Sequence, residues 1–394
     1  MLFMVMKMKI FKNANVIFEN EIKKMSVLVD DGKIVAINED IDAENAQIID
    51  CKEYYLAPGF ADIHVHGGGG FSAMSEDPDE IVKMCEAHAY RGTTSIAPTT
   101  LAAPVAQLQK AIDNITAAME KCPMIRGIHL EGPFISMKMK GAQSPDNILP
   151  PTRENYMALL DYSDKIVMMG AAPELDGSFE LAEEMKKRGI VASCAHSDCT
   201  YEIAEEALEH GFSDVTHLYS ACSAMRKNGI FREVGIVEAA LANDGYTTQF
   251  IADLRHLPAG ALKLIYKCKG ADRAYCITDG LEYAATDMEE GTVIMQENGL
   301  AVVYEDNVMK LADRSCLAGS VATSNVLVRN LWKNCGIALT EVIKMASTTP
   351  LKVIGQDKTK GRIAVGYDSD LVVFDEDVNV KYVCVGEREI RNEL

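Results

Sequence analysis

From Phe60 to Thr278, apolar runs of strand length alternate with segments of helix length. The runs are Phe60–Val65, Thr94–Ala97, Ile125–Leu130, Ile166–Ala171, Ile190–Cys194, Asp214–Thr216, Gln249–Ala252 and Ala274–Thr278. Between them lie the expected helices Pro78–Tyr90, Val105–Met119, Phe179–Lys187, Tyr201–His210 and Pro258–Lys267. A strand, a returning helix and a further strand form a βα unit around a parallel sheet. Eight in succession predict an α/β fold, a (β/α)8 TIM-like barrel.

Both ends of the chain read differently. Asn15–Phe18, Met25–Asp30 and Lys33–Ile37 are short strand candidates, the last two joined by Asp31-Gly32, a strong hairpin signal. Leu371–Phe374 and Val378–Val385 are rich in β-branched residues and follow the turn residues Gly361, Gly366 and Asp368. Neither end is large enough to fold alone. The pattern therefore predicts a small β-sandwich domain formed from both termini, residues 1–56 and 355–394, flanking a barrel over 57–354.

The ends of the barrel strands carry the polar chemistry. His64 and His66 end the first strand, Glu131 the third, His196 the fifth, His217 the sixth and Asp279 the eighth. In a barrel these ends share one rim, where active sites of this fold lie. Two residues apart on a strand, His64 and His66 face the same way and can hold one ion. Imidazole with carboxylate is the donor set expected for zinc, and it also suits iron(II) or another divalent ion. A carboxylate such as Glu131 can bridge two ions. A carboxylate beside such an ion, here Asp279, can take a proton from water and pass it to a leaving group.

Gly67–Gly70 permits a tight turn near a ligand but lacks the spacing of a dinucleotide fingerprint. His88 and His210 fall on helices and read as packed or solvated, while His129 shares the face of Glu131 and reads as a supporting or simply buried group. His256, just beyond the seventh strand, is a candidate substrate contact.

Composition narrows the setting. A formal charge of −19 excludes the basic footprint a nucleic-acid partner requires. An anionic substrate must then be met by a few local cations. Eleven cysteines, with no CxxC pair, do not form a disulfide framework or a structural zinc motif. No apolar stretch approaches the roughly 20 residues of a membrane span, and Met1–Lys9 lacks the apolar centre of a signal peptide. These features predict a cytoplasmic protein with a small-molecule substrate, no nucleic acid and no membrane partner.

The strand-end segments resemble the amidohydrolase superfamily, and within it the N-acetylglucosamine-6-phosphate deacetylase family. The likeness runs through APGFADIHVHG (57–67), GIHLEGPFIS (127–136), GAQ (141–143), AHSDCT (195–200), THLYSA (216–221), FREVG (231–235), ITDG (277–280), LAGS (317–320) and GRIAVGYDSDLVVFD (361–375). HLEGP is the most specific, whereas the last run is common across the superfamily.

The resemblance implies hydrolysis of an acetamide with the ion held through Glu131, His196 and His217, and with Asp279 as proton carrier. His64 and His66 can hold a second ion, so one or two per subunit are implied. It also implies substrate contacts at Ala142, Gln143, Ser220, Ala221, Arg232, His256, Leu317, Ala318 and Gly319, and a homodimer in which His256 reaches the neighbouring site.

The chain departs from the family at Val234, where proline is usual, at Leu254, where glycine is usual, and in a longer, more basic 218–231 loop. Cyclic amidases of the superfamily use a carboxylated lysine at the fourth strand, but Ala171-Ala172-Pro173-Glu174 offers none. The competing readings are a deacetylase of another N-acyl amino sugar, such as N-acetylgalactosamine 6-phosphate, or of an N-acyl amino acid. A non-catalytic binding barrel is the remaining alternative.

Overall fold

Apolar runs buried on both faces are what a parallel sheet covered by helices demands, and a computed structural model of the chain, describing residues 8–295 and 299–394, forms that sheet. Its strands are β1 (Phe60–Val65), β2 (Thr93–Thr100), β3 (Ile128–Glu131), β4 (Ile166–Ala171), β5 (Val191–Cys194), β6 (Phe212–Val215), β7 (Thr247–Ile251) and β8 (Ala274–Ile277). They lie side by side in chain order. The barrel closes between first and last: Val65 bridges Gly280 in parallel, the Asp279 amide donates to the His64 carbonyl at 3.0 Å, and the His66 amide to the Gly280 carbonyl at 2.8 Å. Buried Asp62 pins this seam, accepting from the Thr278 amide at 3.2 Å and from the Thr278 hydroxyl.

Inside the barrel Ile63, Ala97, Met168, Ile251, Tyr275 and Ile277 pack together, while the alternate residues of these strands meet the surrounding helices. Local signals place those helices. Pro78–Ala89 begins at Asp77, whose side chain accepts from the Asp79 amide, and it buries Ile81, Met84, Cys85 and His88 on one face. Tyr201–His210 begins at Thr200 and ends at Gly211, whose φ of 112° suits a helix C-terminus.

The small domain forms from both termini as expected. Its hydrogen-bonded order is 388–392, 380–385, 371–374, 55–58, 9–17, 22–30 and 33–38, with 47–50 beside 9–17. The path curls back on itself, since the Ser369 amide donates to Gly32 and the Ile34 amide to Tyr367. It thereby encloses Phe11, Val27, Ile34, Leu56, Val373 and Tyr382. Residues 1–7, part of the segment read for a signal sequence, lie outside the described residues.

Three of the differences from the pattern read in the sequence alter the start of an element or add one. β3 starts at Ile128 rather than Ile125, because Gly127 turns the chain at φ 147° and Ile125 forms only an isolated bridge to Ile96. The basic 218–231 loop runs into a hairpin, Arg226–Asn228 with Phe231–Glu233. After β8 comes a three-stranded antiparallel sheet, Val293–Met295, Ala301–Glu305 and Val308–Leu311, packed through Leu281, Val302, Met309 and Ala318.

Gly59 joins the two domains with its amide on Asp370 at 2.8 Å, and a β-carbon there would collide with the side chain of Thr94, itself 1% exposed. Gly59→Ala is expected to cost about 1–3 kcal/mol through overpacking, read as a lower denaturant midpoint at unchanged slope.

Candidate metal centre

The strand ends bring all six polar residues together. Two triads form, His64, His66 and Asp279 in one and Glu131, His196 and His217 in the other. Glu131 stands between them. Its Oε1 lies 2.9 Å from His217 Nε2, 3.2 Å from His196 Nε2 and 3.3 Å from His64 Nε2, while Oε2 lies 3.4 Å from His66 Nε2. Asp279 Oδ1 completes the second group, 3.1 Å from His66 and 3.4 Å from His64. His196, His217 and Asp279 hold left-handed backbone at φ 46°, 29° and 49°. Such angles are uncommon outside glycine and concentrate at functional sites.

The far side of each ring fixes its chemistry. His64 Nδ1 meets Gln249 Oε1 at 2.8 Å, His66 Nδ1 the Thr99 carbonyl at 3.1 Å and His196 Nδ1 the Met139 carbonyl at 2.8 Å. A ring that donates from Nδ1 to oxygen presents a bare lone pair at Nε2. These lone pairs face each other and two carboxylates, with His64 and His66 Nε2 only 3.3 Å apart. Acceptors crowded against acceptors require a cation between them.

Electrostatics shows the same demand for positive charge, which protons on the Nε2 atoms also meet. Burial opposes a proton on His66, yet its hydrogen bonds to Asp279 and Glu131 and their charges raise it to about 10. Burial likewise pushes Asp279 up, but the hydrogen bond from His66 and the charges of His64 and His66 hold it near 2. The pocket calls for positive charge, and the residues present fit a divalent ion of the zinc or iron(II) kind.

The centre opens into a cavity of ≈ 420 Å³ that is also lined by Ala142, Gln143, Ser220, Ala221, His256, Leu317, Ala318 and Gly319. Eight of the nine residues implicated in substrate contact therefore share one space with the metal centre. Arg232 does not line it and lies exposed on the hairpin. Gln143 is 3% exposed and points its amide nitrogen at Glu131 Oε2, 2.7 Å away, with its oxygen held by the Ala102 amide at 3.0 Å. One N–H thus steadies the shared carboxylate and the other is left for a ligand. His256 Nδ1 donates to Asp253 Oδ2 at 2.7 Å, which leaves Nε2 as its second polar atom.

The remaining histidines take other work. His129 lies buried with its ring 4.7 Å from that of His64, edge-on, and its Nδ1 on the Ile63 carbonyl at 3.0 Å. His88 holds the Gly67 carbonyl at 2.8 Å, and His210 pairs with Glu183 at 2.7 Å. Sequence reading missed Gln249, Asp62 and Lys138. Lys138 lines the cavity and reaches Asp198 at 3.3 Å, which Arg226 also meets at 2.6 Å. A polar residue at an inward strand position was the available signal for Gln249.

The sequence profile of the Amidohydrolase family matches residues 55–389. The chain is 32% identical over 381 residues to the N-acetylglucosamine-6-phosphate deacetylase of Bacillus subtilis, covering 94% of each. It is 28% identical over 338 residues to the N-acetylgalactosamine-6-phosphate deacetylase of Escherichia coli O157:H7, covering 84% of this chain and 86% of that one. The crystal structure of N-acetylglucosamine-6-phosphate deacetylase from Pasteurella multocida superimposes with a TM-score of 0.89 at 30% identity, covering 98% of this chain and 99% of the other.

Proposed function

Since the chain belongs to the amidohydrolase family, we propose that it is a metal-dependent deacetylase that converts N-acetylglucosamine 6-phosphate to glucosamine 6-phosphate and acetate. The observation that carries the reading is the pair of triads, with Glu131 of one reaching the histidines of the other, at the head of one cavity.

In this reading Glu131, His196 and His217 would hold the ion expected in every subunit, and His64 with His66 could hold a second. Zinc is the proposed ion, with iron(II) the alternative. The chemistry a divalent ion would supply there is polarisation of the amide carbonyl and acidification of water enough for it to react near neutral pH. Asp279 accepts the proton of the attacking water and returns it to the departing amine. Gln143 offers its free N–H to the acetyl carbonyl, and the 317–319 turn and Ala142 enclose the sugar. His256 presents Nε2 to the substrate. Exposed Met225, Ile230 and Phe231 on and beside the Arg232 hairpin support a homodimer, in which Arg232 serves the sugar phosphate at the neighbouring site while His256 lines the cavity of its own subunit. Cysteines that are all free among the described residues support a cytoplasmic setting.

Acetate release from N-acetylglucosamine, its 6-phosphate and N-acetylgalactosamine 6-phosphate tests this assignment. The glucosamine phosphate should be preferred, and Arg232→Ala should lower kcat/KM on it by about 2 kcal/mol or more, ~30-fold. Preference for the galactosamine phosphate would favour the E. coli relative's substrate. Equal activity on the unphosphorylated sugar would sink the phosphate assignment.

A further inference from the structure

Beneath the rim the contact of Gln249 with His64 continues into a buried polar chain that ends on Asp214. Asp214, on β6 and fully buried, accepts from Ser193 Oγ at 2.7 Å, Thr247 Oγ1 at 2.6 Å, Gln249 Nε2 at 2.8 Å and Tyr275 Oη at 2.9 Å. Burial pushes its carboxyl up, and these donors pull against the rise. Gln249, on β7 and equally buried, turns its other end to His64, Oε1 against Nδ1 at 2.8 Å. Neither Gln249 nor Asp214 lines the cavity.

The logic of the chain is directional. With both Asp214 oxygens accepting, Gln249 must face it with nitrogen, because the reverse amide would set oxygen against carboxylate. Its oxygen is then committed to His64, so Nδ1 of His64 must carry the proton. Nε2 is left as a lone pair aimed at His66, Glu131 and Asp279. His66 and His196 receive the same instruction from backbone carbonyls, which no substitution removes. His64 alone of these three takes it from a side chain.

We infer that Asp214 and Gln249 are positioning residues that set the tautomer of His64 and thereby load the second ion position. This rests on the metal-centre reading above. Asp214 acts on Gln249, Gln249 on His64, and neither touches substrate.

The test compares wild type with Gln249→Leu, Gln249→Met and Gln249→Glu, each purified after metal-supplemented expression. Ions per subunit are read by elemental analysis, and folding by circular dichroism. Wild type should hold about two ions and the two apolar variants about one, with the Glu131 triad still filled. In Gln249→Glu, one of two facing carboxyls must be protonated. It then bonds Asp214 while the other oxygen still accepts from His64, so occupancy should return to about two.

Nitrogen-15 shifts of labelled histidine in the metal-free protein should show His64 protonated at Nδ1 in wild type and Gln249→Glu, and mixed in folded Gln249→Leu. Two ions retained in Gln249→Leu or Gln249→Met, or a wild type with the His64 position empty, would overturn the inference. A wild type with no ion at all would instead overturn the metal reading itself.

Discussion

Replacing Asp279 by Asn is expected to leave the ion at the Glu131 triad bound and to lower kcat by about 10²–10⁴-fold, the usual worth of a positioned proton carrier. The side chains are nearly the same shape, and the left-handed backbone at this position, φ 49°, is one asparagine adopts readily. Neither packing nor backbone should therefore change. What changes is that an amide cannot take a proton from water and deliver it to an amine. The ion should survive because Glu131, His196 and His217 do not depend on Asp279. Elemental analysis alongside acetate release measures both quantities, and near-normal turnover in a metal-loaded variant would refute the role.

Glu131→Gln should do more damage. The carboxylate faces four imidazole nitrogens within 3.4 Å and is the group that touches histidines of both triads. Burial pushes its carboxyl up, yet the charges of His64 and His196, with hydrogen bonds from His196 and His217, hold it well below the carboxylate range. Removing that charge takes an anionic ligand from each position. Both occupancies should fall, with affinity weakened by at least about 10²-fold and activity reduced to background. The wild-type protein should gain about 2.7 kcal/mol of stability at an ion concentration 100 times its dissociation constant. The variant should show no such gain at that concentration, and a fully loaded variant would contradict the bridging assignment.

The barrel and its rim were legible in the sequence because each rests on a local signal. Strand-length runs set the period, and histidine, glutamate or aspartate at the end of such a run stands out against apolar neighbours. His64, His66, Glu131, His196, His217 and Asp279 were all visible in that way. Gln249 was not singled out, because a polar residue on a buried strand is a weak signal whose role shows only when its partners Asp214 and His64 are brought beside it from 35 and 185 residues away. Gln143 shows the converse. Its position was read as a substrate contact, and only the three-dimensional arrangement reveals its second tie to Glu131. The sheet over 293–311 escaped notice because its strands are three to five residues long, too short for period-2 alternation to declare itself. Arg232 was placed by its neighbours in sequence, but an exposed hairpin carries it away from the cavity of its own subunit.

The seam between β1 and β8 also sets an order of assembly. The Glu131 triad lies within 87 consecutive residues on β3 to just past β6, so every ligand it needs has been synthesised once His217 is made. The other triad joins the first barrel strand to the last. His64 and His66 must wait for Asp279 to be synthesised and for β8 to dock before their ion position exists. On the proposed two-ion reading, a nascent chain halted anywhere between residues 217 and 279 can hold at most the first ion, and a second would mark a barrel that has closed.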